Sequence, residues 1–300
     1  MSPGDEPLAW REARERLEAA GFRPSRRLGQ NFLLDDNMAR ALARDAGVGE
    51  GDQVVEIGPG LGFLTGPLLE TGARVLAVEI DARLHALVGE TLGGHPRLEL
   101  LLGDALASKH RLNEELEARL AAVEAWHLVA NLPYSVSAPL LVVASELPRP
   151  PATISVLVQL EVAERICAAP GTSDWGPLSA RLQAAYEVRL GRTVGCGMFW
   201  PRPKVESAVA HLALRPGAAS EEGREARVHL SNLVQGLFQR RRQALGRVLG
   251  ELVGDREAAR AALTALGVDP SARAETLDLE VLRGLAASPI WRQVSRNPRS

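Results

Sequence analysis

Apolar residues between positions 53 and 159 fall into short continuous runs, separated by longer stretches in which they recur every three or four positions. Four of the five runs lack strict alternation of apolar and polar residues, which is typical of strands buried on both faces of a parallel sheet. The runs read QVVEIG, ARVLAVE, RLELLLG, HLVANL and TISVLVQ. Helices are predicted between them, near residues 65–71, 82–91, 112–123 and 138–147. This order predicts a doubly wound α/β sheet.

Two further strand-like segments, AYEVRLGRTVG and SAVAHLALR, follow the helix-like stretch PLSARLQAAYE and are joined by the proline-rich MFWPRPKVE. Residues 215–223, RPGAASEEG, have the composition of a linker. Beyond them the apolar spacing is helical to near the end of the chain. We therefore predict an N-terminal extension (residues 1–24), an α/β domain (residues 25–215) and a smaller α-helical domain (residues 216–300).

Composition places the chain among ordinary globular proteins, with 46% hydrophobic and 24% charged residues over 300 positions. No apolar run approaches the length of a membrane span, and the N-terminus is charged, so we expect a cytoplasmic protein without a membrane partner. The two cysteines and six histidines show no paired spacing, which argues against a disulfide framework and against a metal site.

Basic charge in this chain is carried almost entirely by arginine, since only Lys109 and Lys204 are lysines. Arginine binds phosphate through a planar fork, although a GC-rich coding bias produces the same replacement of lysine. One stretch, residues 227–250, contains no acidic residue. It predicts either a surface that meets a polyanion or a solvated helix face. Its arginines are Arg227, Arg240, Arg241, Arg242 and Arg247.

The first predicted strand runs into a glycine-rich turn, EIGPGLGFLT. Gly58, Gly60 and Gly62 allow a tight turn and a close approach of a ligand to the main chain. A dinucleotide fingerprint would require glycine where Phe63 stands, so pyrophosphate binding is disfavoured. Glu56 stands two positions before the first of the three glycines. This pattern of an acid followed by alternating glycines resembles the first sequence motif of S-adenosylmethionine-dependent methyltransferases.

Two more acids follow successive strands of the predicted sheet. Glu79 ends the second strand, where a carboxylate can accept hydrogen bonds from both ribose hydroxyls of a nucleoside cofactor. Asp104 follows the third strand, where it can accept from an adenine amine. Each residue alone could be a helix cap or a structural turn, but their order at strand ends predicts a nucleoside-cofactor site.

The fourth strand ends in VANLPYSV, which predicts an acceptor site beside the cofactor. The side-chain carbonyl of Asn131 and the main-chain carbonyl of Leu132 can accept both N–H bonds of an aromatic amine and free its lone pair. Pro133 fixes the turn without a competing N–H, and Tyr134 offers a ring for base stacking. The alternative is a strand exit with an Asx-type turn.

These residues resemble the small-subunit rRNA adenine dimethyltransferase family, from about residue 27 to 285. The resemblance rests on motifs in the family's order, LGQNFLLD, VVEIGPGLGFLT, AVEID, GDAL, ANLPYSVS, VQLEVAERI, FWPRPKVESAV, LFQRRRQAL and RAETLDLEVL. It implies a Rossmann-like S-adenosylmethionine-dependent methyltransferase sheet with a helical C-terminal domain. The implied activity is dimethylation of two adjacent adenosines near the 3′ end of 16S rRNA, by a monomer acting on the assembling 30S subunit.

The resemblance also assigns roles to individual residues. Asn31 and Leu33 contact the cofactor, with Gly58, Gly60, Glu79, Asp104 and Asn131 carried over by their own motifs. Phe199 helps to hold the target adenine beside the Asn131–Tyr134 segment. Arg240, Arg241, Arg242 and Arg247 lie toward RNA.

Several positions depart from the family pattern without removing a catalytic group. Arg242 stands where lysine is usual, Ser135 and Val136 where Asn-Ile is common, and Trp175 where tyrosine is frequent. Two other functions stay open, a 23S rRNA adenine methyltransferase and a non-catalytic assembly or nucleic-acid-binding factor on the same fold. The PRPKVESAV and RAETL segments favour the small-subunit enzyme.

Overall fold

A computed structural model describes residues 15, 21–25 and 27–295 of the chain. Most of the predicted N-terminal extension therefore lies outside the described residues. None of the helices in the described part of the chain is long and apolar enough to cross a bilayer.

A seven-stranded sheet is built from strands between residues 53 and 214, with the strand order β4-β3-β2-β7-β8-β11-β9. β2, β3, β4, β7 and β8 run parallel to one another, whereas β11 pairs antiparallel with β8. The α/β fold predicted from the sequence is confirmed. The strands are β1 (Phe32–Leu33), β2 (Gln53–Ile57), β3 (Arg74–Glu79), β4 (Leu98–Leu102), β5 (Leu106–Ser108), β6 (Arg111–Leu112), β7 (His127–Asn131), β8 (Thr153–Gln159), β9 (Tyr186–Val194), β10 (Phe199–Trp200) and β11 (Ser207–Leu214).

Helices connect the strands at the predicted places and make up the end of the chain. The interior residues of β2, β3, β7 and β8 are buried, as continuous apolar runs predict for a sheet covered on both faces. The helices are α1 (Asp36–Asp45), α2 (Thr65–Glu70), α3 (Ala82–Leu92), α4 (Glu114–Ala121), α5 (Ser137–Glu146), α6 (Leu160–Cys167), α7 (Pro177–Ala185), α8 (Glu221–Gln239), α9 (Leu245–Val253), α10 (Arg256–Ala265), α11 (Leu279–Ala287) and α12 (Pro289–Ser295).

Two small sheets were not predicted from the sequence. β1 pairs antiparallel with β10, with Phe32 opposite Trp200 and Leu33 opposite Phe199. β5 and β6 form a second two-stranded sheet. Strands of two or three residues are too short to show a period, which is why the apolar pattern did not identify them.

The chain divides into two compact units. Of the described residues, the first unit holds those up to 144 together with 151–163 and 189–213, and the second holds 145–150, 164–188 and 214–295. The second unit therefore takes residues from three stretches of the chain. The domain boundary after residue 215 stays a prediction.

The second unit has its own hydrophobic core, built mainly from α8 to α12. Leu233, Leu249, Leu263 and Leu282 are among its fully buried members. Their burial follows from apolar residues spaced three and four positions apart on each helix. The helical character predicted for the end of the chain is confirmed.

Arg227 belongs to this interior rather than to a basic surface. Its side chain is 6% exposed, and its guanidinium donates to the main-chain carbonyls of Ser145 and Leu147 at 3.1 and 3.0 Å. Burial lowers the pKa of this guanidinium. The inclusion of Arg227 in a basic surface that contacts a polyanion was therefore wrong, because its side chain is buried and its Nε and Nη2 donate to main-chain carbonyls.

Candidate active site

A cavity of about 320 Å³ lies at the carboxyl ends of β2, β3, β4 and β7. Residues just after parallel strands meet at one edge of a sheet, which explains why motifs far apart in sequence share this cavity. Its lining includes ten of the residues predicted from the sequence, namely Asn31, Leu33, Gly58, Gly60, Glu79, Asp104, Asn131, Leu132, Pro133 and Tyr134.

The glycine-rich turn after β2 needs its glycines. Gly58, Gly60 and Gly62 have φ values of 71°, 59° and 81°, in the left-handed region that favours glycine. A Cβ at Gly60 would lie 2.9 Å from Cδ1 of Phe32. The missing side chain therefore lets the turn pack closely against the segment that contains β1.

Glu79 ties this turn to the end of β3. Its carboxylate accepts hydrogen bonds from the main-chain N–H of Gly60 at 3.1 Å and of Asp81 at 2.9 Å. The side chain is only 3% exposed, and burial raises its pKa. Glu79 is thus held in place at the cavity wall, with its orientation fixed by backbone donors.

Asp104 stands at the exposed end of the cavity, after β4. Its Oδ1 accepts a hydrogen bond from the main-chain N–H of Leu106 at 2.9 Å. The apolar side chain of Ile80, which is 45% exposed, also lines the cavity. An acid beside an exposed apolar side chain suits a flat ring that carries an amine.

Glu56 is a buried carboxyl at the base of the glycine turn. It is 1% exposed and accepts a hydrogen bond from the Thr65 hydroxyl at 2.7 Å. Burial, reinforced by the nearby charge of Glu79, raises the pKa of Glu56 to about 8. The carboxyl is therefore mostly neutral at pH 7, which lets it sit beside Glu79 without full repulsion between two charges.

Asn131, the last residue of β7, is oriented by the loop before β1. Its side-chain Nδ2 donates to the main-chain carbonyl of Asn31 at 3.0 Å. Asn31 in turn donates from its own side chain to the carbonyl of Gly29 at 3.2 Å. Because the amide nitrogen of Asn131 is engaged, its carbonyl oxygen is left as the acceptor for a ligand.

The three residues after Asn131 form a turn that leads into α5. The N–H of Leu132 donates to the carbonyl of Leu157 in β8 at 3.0 Å, which extends the sheet pairing by one residue. The carbonyl of Pro133 accepts from the main-chain N–H groups of Val136 and Ser137, both at 3.2 Å. This bonding fixes the turn that places the ring of Tyr134 in the cavity wall.

Ser207, a site residue that the sequence did not single out, contacts Tyr134. The hydroxyl oxygens of the two side chains lie 3.1 Å apart, and Ser207 is 1% exposed at the start of β11. A buried serine directly after the proline-rich segment was the available signal. Its partner could not be predicted, because Tyr134 follows β7 and Ser207 begins β11, and these two strands lie on opposite sides of β8.

Two predicted cofactor and base contacts lie in the small β1–β10 sheet. Leu33 lines the cavity and pairs with Phe199. Phe199 itself is 4% exposed, packs in the hydrophobic core with Leu33, and is not among the described residues that line the cavity. The contact between Phe199 and a target adenine stays a prediction.

The arginines predicted to face RNA are not equivalent. Arg240 and Arg247 both form an ion pair with Glu251, the first residue after the acid-free stretch. Among the described residues, Arg241 and Arg242 have no carboxylate partner. Glu251 offsets one of the two charges that it faces, and Arg241 and Arg242 are the arginines of this cluster that no carboxylate of the described residues contacts.

S-adenosylmethionine fits the residues that line the cavity. The group carries a ribose, an adenine and a charged amino-acid end; Glu79 would hold the ribose, and Asp104 and Ile80 would hold the adenine. The close packing at Gly60 leaves main-chain groups rather than a side chain at the turn. We find the donor and acceptor set consistent with a nucleoside cofactor and with no pyrophosphate.

Comparison with known proteins agrees with this geometry. The family model described as ribosomal RNA adenine dimethylase matches residues 21–283. Ribosomal RNA small subunit methyltransferase A of Phenylobacterium zucineum is 43% identical over 273 residues, covering 91% of this chain and 90% of that protein.

Two solved structures are similar in fold. A dimethyladenosine transferase from Plasmodium falciparum has a TM-score of 0.67 at 23% identity, covering 84% of this chain and 94% of that one. The 23S rRNA methyltransferase ErmE has a TM-score of 0.61 at 25% identity, covering 88% of this chain and 99% of that one. From the family match and the close relative, the chain belongs to the ribosomal RNA adenine dimethylase family.

Proposed function

We propose that this protein transfers methyl groups from S-adenosylmethionine to the exocyclic amines of two adjacent adenosines near the 3′ end of 16S rRNA, two on each base. The observation that carries the proposal is the fixed amide of Asn131 in the same cavity as Glu79. It puts an amine acceptor and a nucleoside-binding acid at one sheet edge. The 43% identity to a small-subunit methyltransferase supports this substrate.

Asn131 acts on the target amine through its side-chain oxygen. An adenine amine is a weak nucleophile because its lone pair is delocalised into the ring. When its two N–H groups donate to the carbonyls of Asn131 and Leu132, the nitrogen is drawn toward tetrahedral geometry and its lone pair is freed. S-adenosylmethionine, when bound, supplies a methyl group on a positively charged sulfur.

Tyr134 and Pro133 position the base. Stacking of the adenine on the Tyr134 ring contributes about 1–3 kcal/mol. Pro133 has no N–H, so it adds no donor that would compete with the amine for the two carbonyls. The residues of this turn therefore supply positioning, and no strong base is required because the alkylated amine is acidic enough to lose its proton.

The RNA has to present an unpaired or flipped adenosine, since its amine is not reachable inside a helix. We place the reaction on the assembling 30S subunit, in the cytoplasm, with the protein acting as a monomer. The guanidiniums of Arg241 and Arg242, which have no carboxylate partner within the described part of the chain, support an RNA partner.

A 23S rRNA methyltransferase remains the second candidate, because ErmE has a similar fold at 25% identity. The higher identity of the small-subunit relative favours the first. A non-catalytic factor is disfavoured by the Asn131–Asn31 hydrogen bond, which orients the acceptor of the proposed chemistry.

One labelling experiment separates these candidates. The full chain is incubated with S-adenosylmethionine labelled in its methyl group and, in parallel, with undermethylated 30S and 50S particles. We expect label on the two adjacent adenosines near the 3′ end of 16S rRNA and none with Asn131→Ala. Label in 23S rRNA would contradict the proposal and support the 23S rRNA methyltransferase. An absence of label in both particles would support a non-catalytic binding factor.

A further inference from the structure

Gln30 lies directly before Asn31, and its side-chain amide contacts two separate segments of the chain. Its Oε1 accepts a hydrogen bond from the main-chain N–H of Ser25 at 2.7 Å, and its Nε2 donates to Oδ2 of Asp81 at 3.4 Å. A main-chain N–H can only donate, so Ser25 turns the amide oxygen toward itself and leaves the nitrogen for Asp81. The side chain therefore joins the segment before β1 to the turn between β3 and α3.

Asp81 is a fixed and charged acceptor on that turn. It is 9% exposed and caps α3, where its Oδ1 accepts from the main-chain N–H of Arg83 at 3.0 Å. The Arg83 guanidinium donates to both of its oxygens, at 3.1 and 2.9 Å. Hydrogen bonds from Arg83, with a smaller contribution from Gln30, hold the pKa of Asp81 below its ordinary value. An amide that donates to an ionised carboxylate forms a stronger hydrogen bond than one between two neutral groups.

The contact between Gln30 and Asp81 lies between the two halves of the proposed site. The main-chain N–H of Asp81 donates to Oε1 of Glu79, the acid for the cofactor ribose, at 2.9 Å. The main-chain carbonyl of Asn31, next to Gln30, accepts from the amide of Asn131 at 3.0 Å. A continuous chain of contacts within the first unit thus connects the cofactor acid to the acceptor amide, with Gln30 as its middle member.

The segment before β1 is attached to α3 at a second place. The guanidinium carbon of Arg83 lies 4.7 Å from the centre of the Phe22 ring. The Arg83 side chain is 58% exposed, and a cation–π contact at an exposed site contributes only about 0.5–1 kcal/mol. Gln30, in contrast, lines the cavity. Its hydrogen bond therefore fixes the segment at the place where the cofactor binds.

We propose that Gln30 is a positioning residue, which holds the carbonyl of Asn31 at a fixed distance from Glu79 and so aligns the Asn131 amide with the bound cofactor. In this role its side chain acts through Asn31 and does not touch the reacting atoms. The inference rests on the proposed function, because the alignment serves methyl transfer to the target amine. Such alignment matters, since a displacement of about 1 Å can lower the rate about 10²-fold.

The test compares turnover on 30S particles with the affinity of the full chain for S-adenosylhomocysteine, measured by calorimetry. Gln30→Met keeps the length of the side chain and removes both hydrogen bonds. We expect turnover at saturating substrates to fall about fivefold to thirtyfold. The affinity should fall about threefold or less, because Glu79 keeps its main-chain donors.

The matched control is Gln53→Met. Gln53 begins β2, at the end of the strand away from the cavity, and its side chain donates to the main-chain carbonyls of Val54 and Arg74, both at 3.3 Å. It loses side-chain hydrogen bonds of the same kind without touching the site. We expect neither turnover nor the affinity for S-adenosylhomocysteine to change.

An exchange of the two groups provides a readout that a loss of packing would not give. Gln30→Glu alone places two carboxylates in contact, and we expect turnover to fall about thirtyfold or more. Combining it with Asp81→Asn restores the hydrogen bond with donor and acceptor reversed, while the new carboxylate can still accept from Ser25. We expect turnover of the double variant to return to within about threefold of Asp81→Asn alone.

Unchanged turnover of Gln30→Met, or an equal loss in Gln53→Met, would overturn the proposal. A loss of cofactor affinity as large as the loss of turnover would also overturn it, because Gln30 would then bind the cofactor itself. A double variant that is no better than Gln30→Glu would show that the contact with Asp81 does not position the site. Thermal unfolding shows which variants are folded, and Gln30→Met with its control decides the question if Gln30→Glu is unstable.

The wild-type reaction separates this inference from the proposed function. Methyl label on the 16S adenosines by wild type, with equal turnover of Gln30→Met, contradicts the role of Gln30 alone. An absence of label with wild type contradicts the proposed function and, with it, the role of Gln30.

Discussion

The side chain of Asn131 and the main chain of Asn31 are joined by a hydrogen bond of 3.0 Å between residues that lie 100 positions apart. The donor is the amide nitrogen of Asn131, so this single contact decides which end of the amide faces the cavity. The loop before β1 thus acts directly on the side chain of Asn131. It sets the orientation of the acceptor in the proposed reaction.

We expect Asn131→Ala to lower turnover about 10²- to 10³-fold, since one of two polarising acceptors is lost at the reacting amine. The affinity for S-adenosylhomocysteine, measured by calorimetry, should change little. A variant that keeps wild-type turnover would remove Asn131 from the mechanism. One that loses cofactor affinity as strongly as turnover would make Asn131 a cofactor-binding residue only.

We expect Tyr134→Phe and Ser207→Ala each to lower kcat/KM for 30S particles about threefold to tenfold, because the hydroxyl pair holds the ring that stacks on the base. The double variant should be no worse than either single one, since both remove the same interaction. If the fold-loss in kcat/KM of the double variant equals the product of the two single losses, Ser207 does not act through Tyr134.

We expect Gly60→Ala to destabilise the protein by about 1–2 kcal/mol and to weaken cofactor binding about tenfold or more. The reason is the left-handed backbone at Gly60 together with the clash that its Cβ would make with Phe32. Gly66→Ala in α2 is the matched control, because a Cβ there meets nothing within 4 Å. It should stabilise the protein by about 0.5–1 kcal/mol, as alanine for glycine does inside a helix.

Urea unfolding of both variants and calorimetry with S-adenosylhomocysteine measure these effects. Equal stability of Gly60→Ala and Gly66→Ala would mean that the turn after β2 accommodates a side chain, against the packing described for Phe32.

We expect Glu56→Gln to flatten the pH dependence of stability of the cofactor-free protein. Folding raises the pKa of Glu56 from 4.5 to about 8, so between these values the folded state holds a proton that the unfolded state has released. The contribution of Glu56 to the free energy of unfolding is therefore fully present below pH 4.5. It is lost as the pH rises toward 8, by up to about 1.4 kcal/mol per pH unit. The side-chain oxygen of glutamine can still accept the hydrogen bond from Thr65, and the amide does not titrate in this pH range.

The unfolding free energy in urea, measured from pH 5 to 8.5, checks this prediction. The gap between Glu56→Gln and wild type should widen toward high pH. Parallel curves for the two proteins would contradict a neutral, buried Glu56.

The sheet and the polar residues of the cavity at the strand ends followed from the sequence because they depend on local signals. Continuous apolar runs predicted the strands, and the residue types at the strand ends predicted Gly58, Glu79, Asp104 and Asn131 as site residues. In parallel sheets these ends share an edge, so order along the chain is enough to place residues together.

What the sequence did not reveal depends on contacts between distant segments. Arg227 is buried where it donates hydrogen bonds to the carbonyls of Ser145 and Leu147. The residues around Arg227 in the sequence do not indicate these distant partners. The pairing of Arg240 with Glu251 crosses the turn between two helices and removes a charge that a count along the chain assigns to the surface. A run of arginines therefore indicates basic character without showing which guanidiniums are available.

The pairing of β1 with β10 has a consequence for how the protein is made. Leu33 and Phe199 are more than 160 residues apart, yet they are opposite each other in one small sheet. On the ribosome, the segment that carries Asn31 has no partner strand until most of the first unit has emerged. The cofactor pocket of a protein proposed to act on ribosomes is thus completed late in its own synthesis, and a chain that stops short of β10 would leave that wall of the pocket without its support.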